Sequence, residues 1–194
     1  MKVLYLYCHP LPESFHAAIR VEVLAGLREG GHEVDLCDLY AEKFNPVMSE
    51  DERRRYHDTS RNQLGIECHV ARLRAAEALV VQFPTWCFGA PAMLKGYFDK
   101  VFAPGISFDM SDPRHVKPAL TNLKSVTGIV TYGRDRLRAM LMGDPPRKLV
   151  TRYLPRSASP RARARYHALY HMNVASEVTR KSFITRVRQA MARL

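Results

Sequence analysis

The chain has 194 residues, 46% of them hydrophobic and 25% charged, with 30 basic against 19 acidic side chains for a net charge of +11. This is ordinary globular usage at a length that buries a core without staples, which excludes wholesale disorder and a fibrous repeat. No apolar run approaches the ~20 residues of a membrane-spanning helix.

The charge is uneven. Residues 1–110 hold 12 basic and 15 acidic groups, a net −3, whereas residues 111–194 hold 18 and 4, a net +14. A half so basic fits nucleic acid or an anionic small molecule. Nucleic acid is the minor reading, because no recognition motif is present and the arginines are scattered over several elements. The four cysteines, Cys8, Cys37, Cys68 and Cys87, form no C-x-x-C pair and no zinc-like spacing. They read as reduced thiols of a cytoplasmic protein. No metal cluster is predicted, and the start of the chain reads as a first strand, not a signal peptide.

Lys2–Cys8 is a continuous apolar run, as in a parallel strand buried on both faces. Phe15, Ala18, Ile19, Val23 and Leu27 then recur at helical spacing, with Ser14 as N-cap and Gly30-Gly31 as the stop. His32–Leu39 alternates as a second strand, which completes a strand–helix–strand unit. The polar stretch 40–61 predicts loop and a short helix. A helix over 63–76, a third strand over 77–83 and a helix over 92–102 follow, with Pro91 suited to the start of the last. Residues 104–123 read as a long connection and 124–131 as a fourth strand. Residues 135–153 read as a helix interrupted at Gly143-Asp144-Pro145-Pro146. Residues 155–165 look like an arginine-rich loop, 166–172 like a fifth strand and 175–194 like a last helix. Five strands alternating with helices predict one doubly wound α/β domain over residues 1–194. Its ligand should lie outside the carboxyl ends of the strands, at a switch point.

Three loops leave those ends. The first, His9-Pro10-Leu11-Pro12-Glu13-Ser14-Phe15-His16, runs into a helix N-terminus, a ready anion site to which His9, Ser14 and His16 can add donors. Neither G-x-G-x-x-G nor a Walker motif is present. The second, Pro84-Thr85-Trp86-Cys87-Phe88-Gly89-Ala90-Pro91, carries the only Trp and suits a flat heterocycle. The third is Thr131-Tyr132-Gly133-Arg134. Read alone, His9 could simply cap a turn, Trp86 and Phe88 could be core, and Cys87 is a small apolar residue before it is a reactive thiol. Met93, Leu94, Tyr97, Phe98, Val101 and Phe102 form a core or interface stripe at helical spacing.

His9-Pro10 with Ser14-Phe15, and above all the run from Gln82 to Phe102, resembles the flavodoxin-like NAD(P)H:quinone oxidoreductase family. That family includes DT-diaphorase, the bacterial drug-activity modulators and the ancillary subunits of glutathione-gated potassium efflux systems. The resemblance covers most of the chain. It implies a five-stranded parallel sheet of order 2-1-3-4-5 and a flavin held without a covalent bond, FMN first and FAD as the alternative. It implies a phosphate-side loop of His9, Ser14, Phe15 and His16. Pro84, Thr85, Trp86, Cys87 and Phe88 would run along the ring system, with Thr131, Tyr132 and Gly133 on its pyrimidine side. It further implies a homodimer and ping-pong transfer from NAD(P)H through the flavin to a quinone or similar acceptor. The second reading is a regulatory flavoprotein subunit docked on a potassium efflux transporter. The chain departs from the pattern at Cys87, where many relatives carry an aromatic residue, and at Arg134, where they often have glycine. Residues 135–146 also lack the Tyr and His that DT-diaphorase sets near its flavin, so no protein acid or base is assigned.

Overall fold

The computed structural model describes every residue but 113. Strands β1 (Lys2–Tyr7), β2 (Glu33–Asp38), β3 (Ala78–Pro84), β6 (Ser125–Thr131) and β7 (Arg163–Leu169) form one parallel sheet of order β2-β1-β3-β6-β7. Strands β4 (Phe108–Asp109) and β5 (Lys117–Pro118) pair with each other apart from it, inside the predicted long connection, of which position 113 lies outside the described residues. Counted over the main sheet, the order is the predicted 2-1-3-4-5.

The three inner strands are buried nearly throughout, and the two edge strands are half-exposed. Period-two alternation splits the inner strands between two cores. Val3, Tyr5, Tyr7, Val80 and Ile129 face α1 (Phe15–Glu29) and α8 (Glu177–Ala192). Leu4, Leu6, Leu79, Val81, Val126 and Val130 face α3 (Glu67–Ala75), α4 (Ala92–Val101) and the segment after residue 145. From β1 the chain steps to β2 on one side and then to β3 on the other. The connections that leave the carboxyl ends of β1 and β3 therefore run to opposite sides, which makes this the switch point of the sheet. No helix among the described residues is long and apolar enough to cross a membrane.

The short helix expected in the polar stretch is α2 (Glu50–Arg54), opened by a Ser49–Glu52 capping box. Three other boundaries differ from expectation. Helix α3 begins at Glu67, not 63, because Gly65 takes φ +85° and its amide donates to Glu67 Oε2 at 2.9 Å. Strand β7 begins three residues early; its arginines lie at an exposed edge and mask the strand pattern. The interrupted helix breaks at the predicted place, with Gly143 at φ +78° and Asp144 at φ +42° between α5 (Arg136–Leu141) and α6 (Pro145–Lys148). It then continues through a π-turn, Leu149–Tyr153, into α7 (Leu154–Ser157), where a loop was expected. Pro155 has no N–H for the carbonyl four residues back, and the wider turn before it absorbs that break.

Helix α4 is clamped from below. The Lys100 ammonium is buried and donates to the Asn45 and Val47 carbonyls at 3.1 and 3.4 Å, and it pairs with Glu52 at 2.8 Å. The same strand of loop presses on Gly96, where an added Cβ would sit 2.3 Å from the Pro46 carbonyl oxygen. Gly96→Ala should therefore lower stability by about 1–3 kcal/mol, the cost of overpacking, although alanine is the better helix former. The urea midpoint reads this; an unchanged midpoint would mean that the 44–47 loop yields freely.

Candidate functional site

The first loop is shaped by its own polar groups. Ser14 caps α1, accepting from the Ala17 amide at 3.1 Å and donating to the Leu11 carbonyl at 2.8 Å. The Leu11 amide donates to His9 Nδ1 at 3.2 Å. The Phe15 and His16 amides are first-turn groups without an intrahelical acceptor, at the positive end of a 15-residue helix. Ser14 thus builds the anion seat, and those amides are the donors it presents.

The second loop is a two-residue hairpin. The Trp86 and Gly89 backbones exchange hydrogen bonds of 3.1 and 2.9 Å. Cys87 and Phe88 between them take φ +49° and +58°. Such a mirror-image turn normally carries Gly or Asn, so two ordinary side chains held there are a strained arrangement of the kind that gathers at binding sites. Trp86 is 42% exposed, with its ring 6.4 Å from that of His9; His9 in turn stacks on His16 at 5.4 Å. First and second loops meet through these rings.

The third loop is tied to both neighbours. The Thr85 amide donates to the Thr131 carbonyl at 2.9 Å, and the Tyr132 amide to the Leu169 carbonyl at 2.8 Å. The Tyr132 side chain turns into the core. There its hydroxyl donates to Asp144 Oδ1 at 2.5 Å and bonds the Tyr166 hydroxyl, and its ring stacks on Tyr170 at 4.5 Å. Burial pushes both Tyr132 and Tyr166 well up, so both stay neutral. Tyr132 can therefore serve a ligand only through its backbone.

A buried wire links the three loops. The Tyr5 hydroxyl donates to Gln82 Oε1. Gln82 Nε2 donates to the His16 carbonyl at 2.7 Å and to His16 Nδ1 at 3.1 Å. An acceptor at Nδ1 puts the imidazole proton on Nε2, which donates to Thr131 Oγ1 at 2.7 Å. Thr131 then keeps its own hydroxyl proton to give away. His16 is spent on this wire, so its contribution to an anion is its amide and not its ring.

The structure brings His9, Ser14, Phe15, His16, the 84–88 run and Thr131–Gly133 to one edge of the sheet. It adds a fourth loop, 170–174, that the sequence reading missed. The His171 and Met172 amides donate to the Arg134 and Tyr132 carbonyls at 3.0 and 2.9 Å, and Asn173 Nδ2 lies 3.2 Å from where a Gly133 Cβ would stand. The misplaced fifth strand hid this loop; a strand ending at 169 would have put it at the carboxyl edge.

Among the described residues, Cys37, Glu42 and His69 bring potential metal-ligating atoms within 4.8 Å of one another. Arg72 already occupies Glu42 at 2.9 Å and Asp35 at 2.6 Å, and burial pushes the Cys37 thiol up. The group is a neutral thiol and imidazole beside a paired carboxylate.

A family model described as a flavodoxin-like fold matches residues 1–154. The chain belongs to this flavodoxin-like family, together with NAD(P)H:quinone oxidoreductases to which it is similar. It is 29% identical over 155 residues to the NAD(P)H dehydrogenase [quinone] 1 of Cavia porcellus, covering 72% of this chain and 56% of that protein. The chain thus spans little more than half the length of that relative. Among solved structures, Smu.1420 from Streptococcus mutans superposes with TM-score 0.81 at 27% identity, over the whole of both chains. The NAD(P)H:quinone oxidoreductase of Methanothermobacter marburgensis superposes with TM-score 0.80 at 22% identity, over 99% of this chain and 98% of that one, a likeness of fold.

Burial pulls the His16 imidazole down to about 3 from an ordinary 6.5. Between those values the unfolded chain binds the proton and the folded chain does not. Stability therefore rises with pH there and falls as pH drops below 6.5, by up to ~1.4 kcal/mol per pH unit from this one group. His16→Asn should flatten the fall of the urea midpoint between about pH 6.5 and about pH 4.5. Parallel pH slopes in the two proteins would show that His16 is not held neutral.

Proposed function

We propose that this chain is a flavin-dependent NAD(P)H oxidoreductase that binds FMN at the three loops and reduces quinones or similar acceptors by two electrons in ping-pong order. The observation that carries the reading is the strained Trp86–Gly89 turn, set against His9 over the open amides of α1 at the switch point of the sheet. The residues fit the group. The Phe15 and His16 amides, with His9 and Ser14 around them, would take the phosphate. Pro84, Thr85, Trp86, Cys87 and Phe88 would line the ring system, and Thr131, Tyr132 and Gly133 its pyrimidine side. When bound, the flavin supplies hydride acceptance and donation.

The chain's own part is to hold and orient. Thr131 offers a hydroxyl proton whose direction His16 sets. The exposed aromatic turn gives a second flat reactant a surface to stack on. Leu137, Met140, Leu141 and Met142 are exposed on and after α5, an apolar face that fits a second copy in a homodimer. The same reading sets the protein in the cytoplasm. FAD is the second reading. A hollow of about 460 Å³ beside the first loop, lined by Pro10, Leu11, Pro12 and Tyr40, gives an adenosine half a place.

The test is titration of purified protein with FMN and with FAD, followed by flavin fluorescence. One tightly held FMN per chain is expected. Ser14→Ala should weaken it by about 1–2 kcal/mol, the worth of the helix cap that holds the Phe15 and His16 amides in place. Trp86→Ala should change nicotinamide and quinone kinetics more than flavin retention. Failure to bind either flavin would overturn the reading, and the reverse pattern in Trp86→Ala would make that ring structural.

A further inference from the structure

A groove of about 800 Å³ opens beside the second loop, between Gly89, Ala90 and Lys95 on one side and residues 142–156 on the other. Its walls are apolar, with Met142, Pro145, Pro146, Leu149 and Tyr153 among them. Its charged side chains are all cations: Lys95, Lys148, Arg152 and Arg156. Lys95 pairs with Asp99 on its own helix. Among the described residues, no acidic group lies within ion-pair distance of Lys148, Arg152 or Arg156. Some cations elsewhere are paired, such as Arg20 with Asp38, Arg72 with Asp35 and Lys100 with Glu52, and others, such as Arg28 and Arg61, are in no ion pair among the described residues; what marks these three is that they share one groove.

The three free cations stand four residues apart, a spacing at which like charges on a helical segment repel. A smaller hollow of about 330 Å³ shares Lys148 and Arg152 and adds Arg136 and Arg147. Its one acid, Asp144, is buried and engaged with the Tyr132 hydroxyl and the Arg147 amide. Uncompensated positive charge is thus gathered on one face, over an apolar floor, beside the proposed ring-binding turn. An apolar floor recognises a flat body, and unpaired cations at its rim recognise an anion carried on that body.

We propose that this groove binds the anionic substituent of a flat reactant, a sulfonate, carboxylate or phosphate, and so makes the chain prefer anionic reactants to neutral ones. The proposal rests on the oxidoreductase reading for the identity of the reactants. The anion has two sources in such chemistry, the acceptor and the extra phosphate of NADP(H).

The test is equilibrium binding, with no electron donor present, so that it reads the groove even in a chain that proves unable to oxidise NAD(P)H. Purified flavin-loaded protein is titrated calorimetrically with 1,4-naphthoquinone-2-sulfonate against 2-methyl-1,4-naphthoquinone, and with NADP⁺ against NAD⁺. The wild type should favour the anionic member of at least one pair by about tenfold, the worth of one charge-assisted contact. The preference should shrink as salt is raised from about 50 to about 300 mM. Arg152→Ala with Arg156→Ala should remove most of it, Arg152→Lys should keep most of it, and Lys181→Ala on the far helix α8 should leave it unchanged. A preference confined to the quinone pair assigns the groove to the acceptor; one confined to the dinucleotide pair assigns it to the NADP(H) phosphate. No preference in either pair would overturn the proposal. So would a preference that Lys181→Ala diminishes as much as the groove variants do, since overall charge would then explain it.

Discussion

Gln82 stands in the middle of a fully buried strand, where a parallel sheet usually carries an aliphatic side chain. A buried amide is costly unless every polar atom finds a partner. Here Tyr5 fills its oxygen, and the His16 ring and carbonyl take its two protons. Satisfying that one side chain joins β1, α1 and β3, and through His16 reaches Thr131 at the end of β6. The three loops of the candidate site are thereby held in one register by groups that lie beneath it.

The rigidity below permits strain above. Cys87 and Phe88 hold left-handed backbone that neither residue favours, and the turn persists because Thr85 is anchored to Thr131 and because α4 is clamped by Lys100 and the close approach at Gly96. Strain placed on a supported turn keeps side chains at the tip of a hairpin where glycine would leave bare backbone. That arrangement suits a site whose role is to present flat faces and backbone groups to a cofactor that performs the chemistry.

The fold was legible in the sequence because its signals are local. Continuous apolar runs mark the inner strands, Ser14 and Gly30 bracket α1, and the run from Gln82 to Phe102 carries the family resemblance. What escaped depended on tertiary partners. The arginines of β7 obscured an edge strand, and with it the 170–174 loop. Pro155 read as loop because a π-turn that accommodates it leaves no sequence mark. His16 and Tyr132 lie where the loops leave the sheet, yet no pattern in the chain shows that both side chains turn inward. Residues 135–146 carry no Tyr or His, and the hydrogen bonds of Asp144 to Tyr132, of Tyr132 to Tyr166, and the stacking of Tyr170 join positions too far apart in sequence to be read from it. The charge imbalance was visible at once, but its gathering around one groove was visible only in three dimensions.

The central claim is that these loops hold a flavin that exchanges electrons with a nicotinamide. Its most direct test is the visible absorbance of the flavin-loaded protein, mixed with NADPH and then with NADH under strict exclusion of oxygen. The account predicts that the oxidised-flavin band bleaches with at least one of the two and returns on addition of a quinone. A band that survives both donors while the flavin stays bound would contradict it, leaving a flavin-binding protein without the proposed reaction.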